Sequence, residues 1–305
     1  MKVLVTGGTG FLGKYVVEAL NTHGHEPVPV GSKDGNLESG LAALKVFQQH
    51  RPDAVIHLAA KVGGIGANRR SPAEFWQANT AMGLNVLDAS LSVGVKRLVV
   101  VGTTCSYPKH PKTIPFIERE LFDGYPEETN APYGIAKRSL LVGAFAYRQQ
   151  FGLDCVGVVP TNLYGPGDNF DEHTSHVIPA LIQKMHWAKV RKELSVTLWG
   201  TGKPTRDFLY ASDAALGIVA ALDHGVGGEL YNLGSGREVQ IKDLVKAVAT
   251  IVQYNGKVIY DSNQPDGQPR RVLDSSKAHA GLGWQPTLNL VTGLDATYTW
   301  WRTRG

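Results

Sequence analysis

The stretch "KVLVTGGTGFLG", residues 2–13, decides the fold. Its first half is a run of aliphatic residues ending in a threonine, the pattern of a short buried strand. Its second half sets Gly7, Gly10 and Gly13 in the spacing G-x-x-G-x-x-G, and a helical pattern begins near residue 12. Three glycines alone are also compatible with a tight turn that binds nothing. Between a strand and a helix, however, such a turn lets backbone amides and the positive end of the helix approach a pyrophosphate. The expected contacts of a dinucleotide here are Gly7, Gly10, Phe11, Leu12 and Gly13.

The same alternation continues along the chain. "EPVPV" (26–30), "DAVIHLAA" (53–60), "KRLVVVG" (96–102) and "LDCVGVV" (153–159) read as further strands, with helical patterns near 12–22, 39–50, 73–93 and 132–150. Continuously apolar strands alternating with helices predict an α/β fold, a doubly wound parallel (Rossmann) sheet covered on both faces. From about residue 161 the texture changes to a Gly/Pro/Asn loop, a helix near 176–189, a strand at "ELYNLGSG" and a helix at 240–253. Residues 1–160 therefore read as the dinucleotide-binding domain. Residues 161–305 read mainly as a smaller C-terminal substrate-binding lobe, some segments of which return to the first domain.

Composition narrows the class. With 305 residues, 43% of them apolar and 19% charged, the chain is an ordinary globular protein. Its net charge of +4 suits an anionic small molecule. There is no basic, aromatic-rich run of the kind that binds nucleic acid and no apolar stretch long enough for a membrane span. Two cysteines make neither a disulfide framework nor a usual zinc site, so no metal is expected. Because "MKVLVTGG" runs straight into a strand, a cytoplasmic location is expected.

Chemistry enters with "PYGIAK". Tyr133 and Lys137 are four apart on a helix and share a face, and a nearby ammonium favours the phenolate and lowers the tyrosine's pKa. Thr103 and Thr104 stand at the end of the fourth strand, where open α/β sheets hold ligands, and Cys105 follows them. A free cysteine is commonly a small buried hydrophobe. Lys33, after the second strand, is placed to meet the 2′-phosphate of NADP. Asp34, the alternative ribose ligand of NAD, comes one residue late.

These motifs together resemble the extended short-chain dehydrogenase/reductase family from Met1 to about Asp274. Within it, "HLAAKVGGI" (57–65), "CSYPK" (105–109), "PTNLYGPGDNF" (160–170), "SHVIPALI" (175–182) and "PDGQPRRVLD" (265–274) resemble the GDP-L-fucose synthases. The resemblance implies an NADPH-dependent 3,5-epimerase and 4-reductase acting on a GDP-4-keto-6-deoxy sugar. Thr103 and Tyr133 would bind the sugar ketone, and Lys137 would hold the nicotinamide ribose. Cys105 and His176 would be the epimerisation base and acid. Ala59, Ala60, Pro160, Asn162, Leu163 and His176 would border the cofactor, while Lys184, Trp199, Arg206 and Asp266 would take the nucleotide-sugar.

Lys184 departs from the arginine typical of that position, keeping the charge and losing the fork. The resemblance also implies a homodimer through the helices at 73–93 and 132–150, whose expected exposed positions include the apolar Leu84, Leu91, Leu140 and Phe145. A shortened outer lobe near 222–230 is implied as well. The competing readings are a C4 reductase without epimerisation, a 5-epimerase/reductase on a dideoxy sugar, a GDP-mannose 3,5-epimerase, and a non-catalytic nucleotide-binding relative.

Overall fold

The computed structural model describes residues 1–171, 174–264 and 266–304. The amino-terminal half alternates β1 (Lys2–Thr6), α1 (Phe11–Thr22), β2 (Glu26–Val30), α2 (Gly40–His50), β3 (Ala54–His57), α3 (Ile65–Arg70), α4 (Pro72–Val93), β4 (Arg97–Val101), α5 (Ala131–Phe151) and β5 (Asp154–Pro160). The remainder contains β6 (Asn162–Tyr164), α6 (Val177–Val190), β7 (Ser195–Trp199), β8 (Thr205–Arg206), β9 (Phe208–Tyr210) and α7 (Ala211–His224). After these come β10 (Leu230–Leu233), β11 (Val239–Gln240), α8 (Ile241–Val252), β12 (Lys257–Asp261), β13 (Arg270–Arg271), α9 (Ser276–Leu282) and α10 (Leu290–Arg302).

Six parallel strands form the main sheet in the order β10-β5-β4-β3-β1-β2. The period-2 alternation of each strand divides its apolar residues between two layers. Leu4, Val55, Leu98 and Val100 face α2, α4 and α5, whereas Val3, Val5, Ile56, Val99 and Val101 face α1, α7 and α9. Chain direction across the sheet reverses at β1, between β2 on one side and β3 on the other. The carboxyl ends of β1, β3 and β4 therefore open a crevice at the switch point.

The second core belongs to the lobe: Ile178, Leu181, Met185, Leu198, Phe208, Leu244, Val248 and Tyr298 pack together around α6, α8, α10 and β7. The division is not a single cut in the chain. α7, β10 and α9 lie within the second half of the sequence yet complete the main sheet and its outer layer. The sequence pattern leaves 211–224 unassigned; α7 is rich in alanine and most of its residues are buried.

Two expectations are corrected here. Leu140 is buried, its side chain lying against Gly83 of α4, and Phe145 is partly buried against the sheet, so neither is an exposed contact. Leu84 and Leu91 are exposed as expected, together with Trp76 and Val142. The segment at 225–229 is not part of the outer lobe. It turns at the amino end of the sheet, where Arg97 of β4 binds the carbonyls of Ala221, at 3.1 Å, and Gly225. Any shortening there falls on the side of the sheet away from the crevice.

The segment after β4 is tied to the last strand by Asn232, which is fully buried. Its Oδ1 accepts from the Tyr107 hydroxyl at 2.7 Å and its Nδ2 donates to the Phe116 carbonyl at 2.9 Å. Asn232→Ala strands both groups in the core, at a cost of roughly 1–3 kcal/mol for each. A lowered midpoint of denaturant unfolding is expected, and an unchanged midpoint would contradict this role.

Candidate active site

A cavity of about 1680 Å³ opens at the switch point and runs outward between the main sheet and the lobe. The glycine turn forms its inner end. Gly7 has φ +71°, a left-handed conformation that favours glycine, and a Cβ there would come within 2.9 Å of the Ala59 amide nitrogen. α1 starts at Gly10 without a side-chain cap, so the amides of Phe11, Leu12 and Gly13 have no intrahelical acceptor. This is a fitting cradle for a pyrophosphate.

At the carboxyl end of β4 the chain makes one 3₁₀ turn, Thr104–Ser106, capped by Thr103, whose hydroxyl accepts from the Cys105 amide at 3.2 Å. α5 lies against this turn. A Cβ on Gly134 would stand 2.9 Å from the Cys105 carbonyl carbon, so only glycine allows the approach. The Ser106 hydroxyl donates to the Gly134 carbonyl at 2.9 Å, and Arg138 donates to the Ser106 carbonyl at 3.0 Å. This packing sets Tyr133 within hydrogen-bonding reach of the Thr103 hydroxyl and beside Cys105. The ring of Phe75 meets Tyr133 edge-on at 6.3 Å.

Burial governs protonation throughout. It pushes the Tyr133 phenol well above its usual value, with the Cys105 charge adding and the Thr103 hydrogen bond opposing. The expected lowering by Lys137 is not realised: the phenol's desolvation dominates, and Lys137 is itself buried and lowered to about 8. Beneath it His57, hydrogen-bonded to Thr6 at 2.7 Å, is lowered to about 3 by burial and by the Lys137 charge, and is neutral. His176 stands immediately before α6, makes no side-chain cap, and lines the cavity; desolvation lowers its pKa.

The outer wall is cationic. β8 and β13 pair in parallel with Arg206 opposite Arg271, and both side chains line the cavity. The Arg206 guanidinium is held by the carbonyls of Thr205 and Gln268, each at 2.7 Å. It is lowered to about 9 by burial first and the Arg271 charge second. Trp199 is exposed at the rim, and Lys184 donates to the Thr197 carbonyl at 2.7 Å. Both oxygens of Asp266 accept from Thr201, at 2.7 Å from its amide and its hydroxyl, so this carboxylate holds the 200–203 loop.

The cavity thus brings together Gly7, Gly10, Phe11, Leu12, Gly13, Ala59, Ala60, Thr103, Cys105, Tyr133, Lys137, Pro160, Asn162, Leu163, His176, Lys184, Trp199, Arg206 and Asp266. Lys33 is the exception. The Asp34 carboxylate accepts from the Gly31 amide at 2.7 Å, curling the loop so that Lys33 is exposed outside the lining; Ser32 and Asn36 line that edge instead. Sequence reasoning missed Arg271, Gln268 and Glu127, which also line the cavity. The first two lie in "PDGQPRRVLD", where strand alternation turns Arg270 outward onto Glu238 and Arg271 inward. The first residue of that motif, Pro265, lies outside the described residues.

Residues 3–234 match the model of the NAD dependent epimerase/dehydratase family. The chain belongs to that family. It is 42% identical, over 98% of its length and 92% of the relative's, to the probable GDP-L-fucose synthase 1 of Oryza sativa subsp. japonica. Among solved structures, a GDP-L-fucose synthetase from Naegleria fowleri bound to NADP superposes with a TM-score of 0.89 at 30% identity, covering 99% of this chain and 94% of that one. A GDP-6-OMe-4-keto-L-xylo-heptose reductase from C. jejuni gives 0.93 at 28% identity, covering 100% and 98%. The uncapped helix end and close glycine turn of this chain fit the pyrophosphate of a nicotinamide dinucleotide. Among the described residues no helix is long and apolar enough to cross a membrane.

Proposed function

We propose that this enzyme is a bifunctional 3,5-epimerase and 4-reductase that converts GDP-4-keto-6-deoxy-D-mannose, with NADPH, to GDP-L-fucose or a closely related GDP-sugar. The observation that carries this reading is the placement of Cys105 beside the Thr103–Tyr133 hydroxyl pair, in a cavity that His176 enters from another wall. A reductase needs the hydroxyl pair and a lysine, whereas epimerisation also needs a base and an acid.

Hydrogens at C3 and C5 are α to the ketone. Thr103 and Tyr133 hold the ketone oxygen, so that when the Cys105 thiolate removes one of these protons the charge of the resulting enolate stays on that oxygen. His176 returns a proton to the carbon as the general acid. When bound, NADPH supplies the hydride for C4. Tyr133, kept as the neutral phenol, donates the proton to the C4 oxygen, and the Lys137 ammonium stabilises the phenolate left behind. Arg206 and Lys184 take the diphosphate, and Trp199 packs on a ring of the nucleotide-sugar. The exposed Trp76, Leu84, Leu91 and Val142 on α4 and α5 support a homodimer with an isologous four-helix contact. Two unpaired cysteines fit a reducing cytoplasm.

Cys105→Ser is expected to slow entry of solvent deuterium at C3 and C5 by about 10²–10⁴-fold, because a hydroxyl rarely ionises near neutral pH. The variant still reduces the ketone, giving a D-configured 6-deoxyhexose. Tyr133→Phe shows the reverse, with no reduction and deuterium still entering. Deuterium entry at the wild-type rate in Cys105→Ser would reduce Cys105 to packing.

The pH dependence of reduction has a definite sign. Lys137 carries its charge below about 8 and loses it above. The kcat/KM for reducing the 4-keto group is therefore expected to hold level below that value and to decline above it. A profile that stays level well above it would contradict the role given to Lys137.

A further inference from the structure

Arg271 is buried in the cavity wall, and what its guanidinium touches is specific. Its Nε donates to Gln268 Oε1 at 3.0 Å, and its Nη1 lies 3.6 Å from Cys105 Sγ. Gln268 is buried too, and its Nε2 donates to the carbonyls of Pro108 and Lys109 at 3.1 and 2.9 Å. Those carbonyls follow Cys105 in the chain, so the guanidinium, the amide and the sulfur close one loop of contacts. Among the described residues Arg271 makes no salt bridge to a carboxylate, whereas its neighbour Arg270 is paired with Glu238 at 2.6 Å.

Other groups face the sulfur from each surrounding element. Thr103 lies on the same turn, Tyr133 comes from α5, and Arg206 comes from β8; His176 and Lys137 line the same cavity. Glu127 lies within electrostatic reach of Arg206. The Nη1 of Arg206 is committed to two backbone carbonyls, and its Nη2 lies 3.4 Å from the Asp266 carbonyl. The donor to the sulfur is Arg271.

We propose that Arg271, oriented by Gln268, is a positioning residue that holds Cys105 as a thiolate aimed into the cavity. A guanidinium N–H donated to an anionic acceptor is a charge-assisted hydrogen bond, and inside a wall of protein it outweighs a neutral contact. A positive neighbour is also what raises the thiolate fraction of a reactive cysteine. The inference rests on reading Cys105 as the carbon-proton base. In that step Sγ⁻ takes the proton from the sugar carbon and becomes S–H, the C–H electron pair passes into the enolate, and His176 gives a proton to the other face. Afterwards the thiol returns its proton to solvent and His176 regains one.

The test is alkylation of the full-length enzyme by iodoacetamide at neutral pH, with each cysteine followed by peptide mass spectrometry. Arg271→Met is expected to slow alkylation of Cys105 roughly tenfold or more, the loss closing at high pH where the thiol ionises unaided. Arg271→Lys, which keeps the charge without the fork, is expected to recover part of the rate. Cys155 reports on folding: it is fully buried in β5 and its thiol is pushed up to about 12 by burial, so it reacts only if the fold opens.

Wild-type reactivity of Cys105 in Arg271→Met, with Cys155 protected, overturns the proposal. Should that variant label Cys155, Gln268→Leu decides in its place. Slowed alkylation of Cys105 there supports the proposal, and an unchanged rate overturns it. A different result, rapid deuterium entry in Cys105→Ser, would remove the base role and leave the arginine–thiolate contact standing.

Discussion

Everything at this site depends on how closely α5 approaches the turn after β4. Gly134 has no Cβ, and the space one would fill is occupied by the Cys105 backbone. The helix therefore seats directly on the 3₁₀ turn, and the Ser106 and Arg138 hydrogen bonds lock it there. Tyr133 precedes that contact and Lys137 follows it by one helical turn. Two residues that share a helix face thus meet two that share a strand end, and the active chemistry is a by-product of one packing distance.

Desolvation then sets what each group can do. The same burial moves a phenol up, a lysine down to about 8, an arginine down to about 9 and a histidine down to about 3. In each of these burial is the largest influence, and neighbouring charges are secondary. The consequence is a proton inventory suited to two reactions: a phenol that stays protonated until a ketone is reduced, and a lysine close to losing its charge. The outer, cationic wall meanwhile provides two in-register arginines where an anionic substrate and a sulfur both need positive charge.

Much of this was legible in the sequence because it depends on local pattern. Fully apolar strands have one physical explanation, a sheet covered on both faces, and the turn "TGGTGFLG" has few uses between a strand and a helix. Helical spacing puts Tyr133 and Lys137 on one face and the strand's end places Thr103 near them, whereas the role expected of Cys105 came only from the family resemblance. What depends on side chains meeting across the fold was not legible. That Lys33 stands outside the cavity lining follows from the Asp34–Gly31 hydrogen bond, which curls its loop. Arg271 was missed because "RR" does not say which arginine faces inward until β13 is paired with β8. The return of α7 and β10 to the main sheet is likewise a matter of tertiary packing.

The central claim is that one cavity performs both proton exchange at carbon and ketone reduction. The most direct measurement is to incubate the wild-type enzyme with GDP-4-keto-6-deoxy-D-mannose and unlabelled NADPH in D₂O, and to read the product by NMR. The account requires deuterium at C3 and C5, protium at C4 and an L-configured sugar. A product reduced at C4 with protium retained at both C3 and C5 would contradict it.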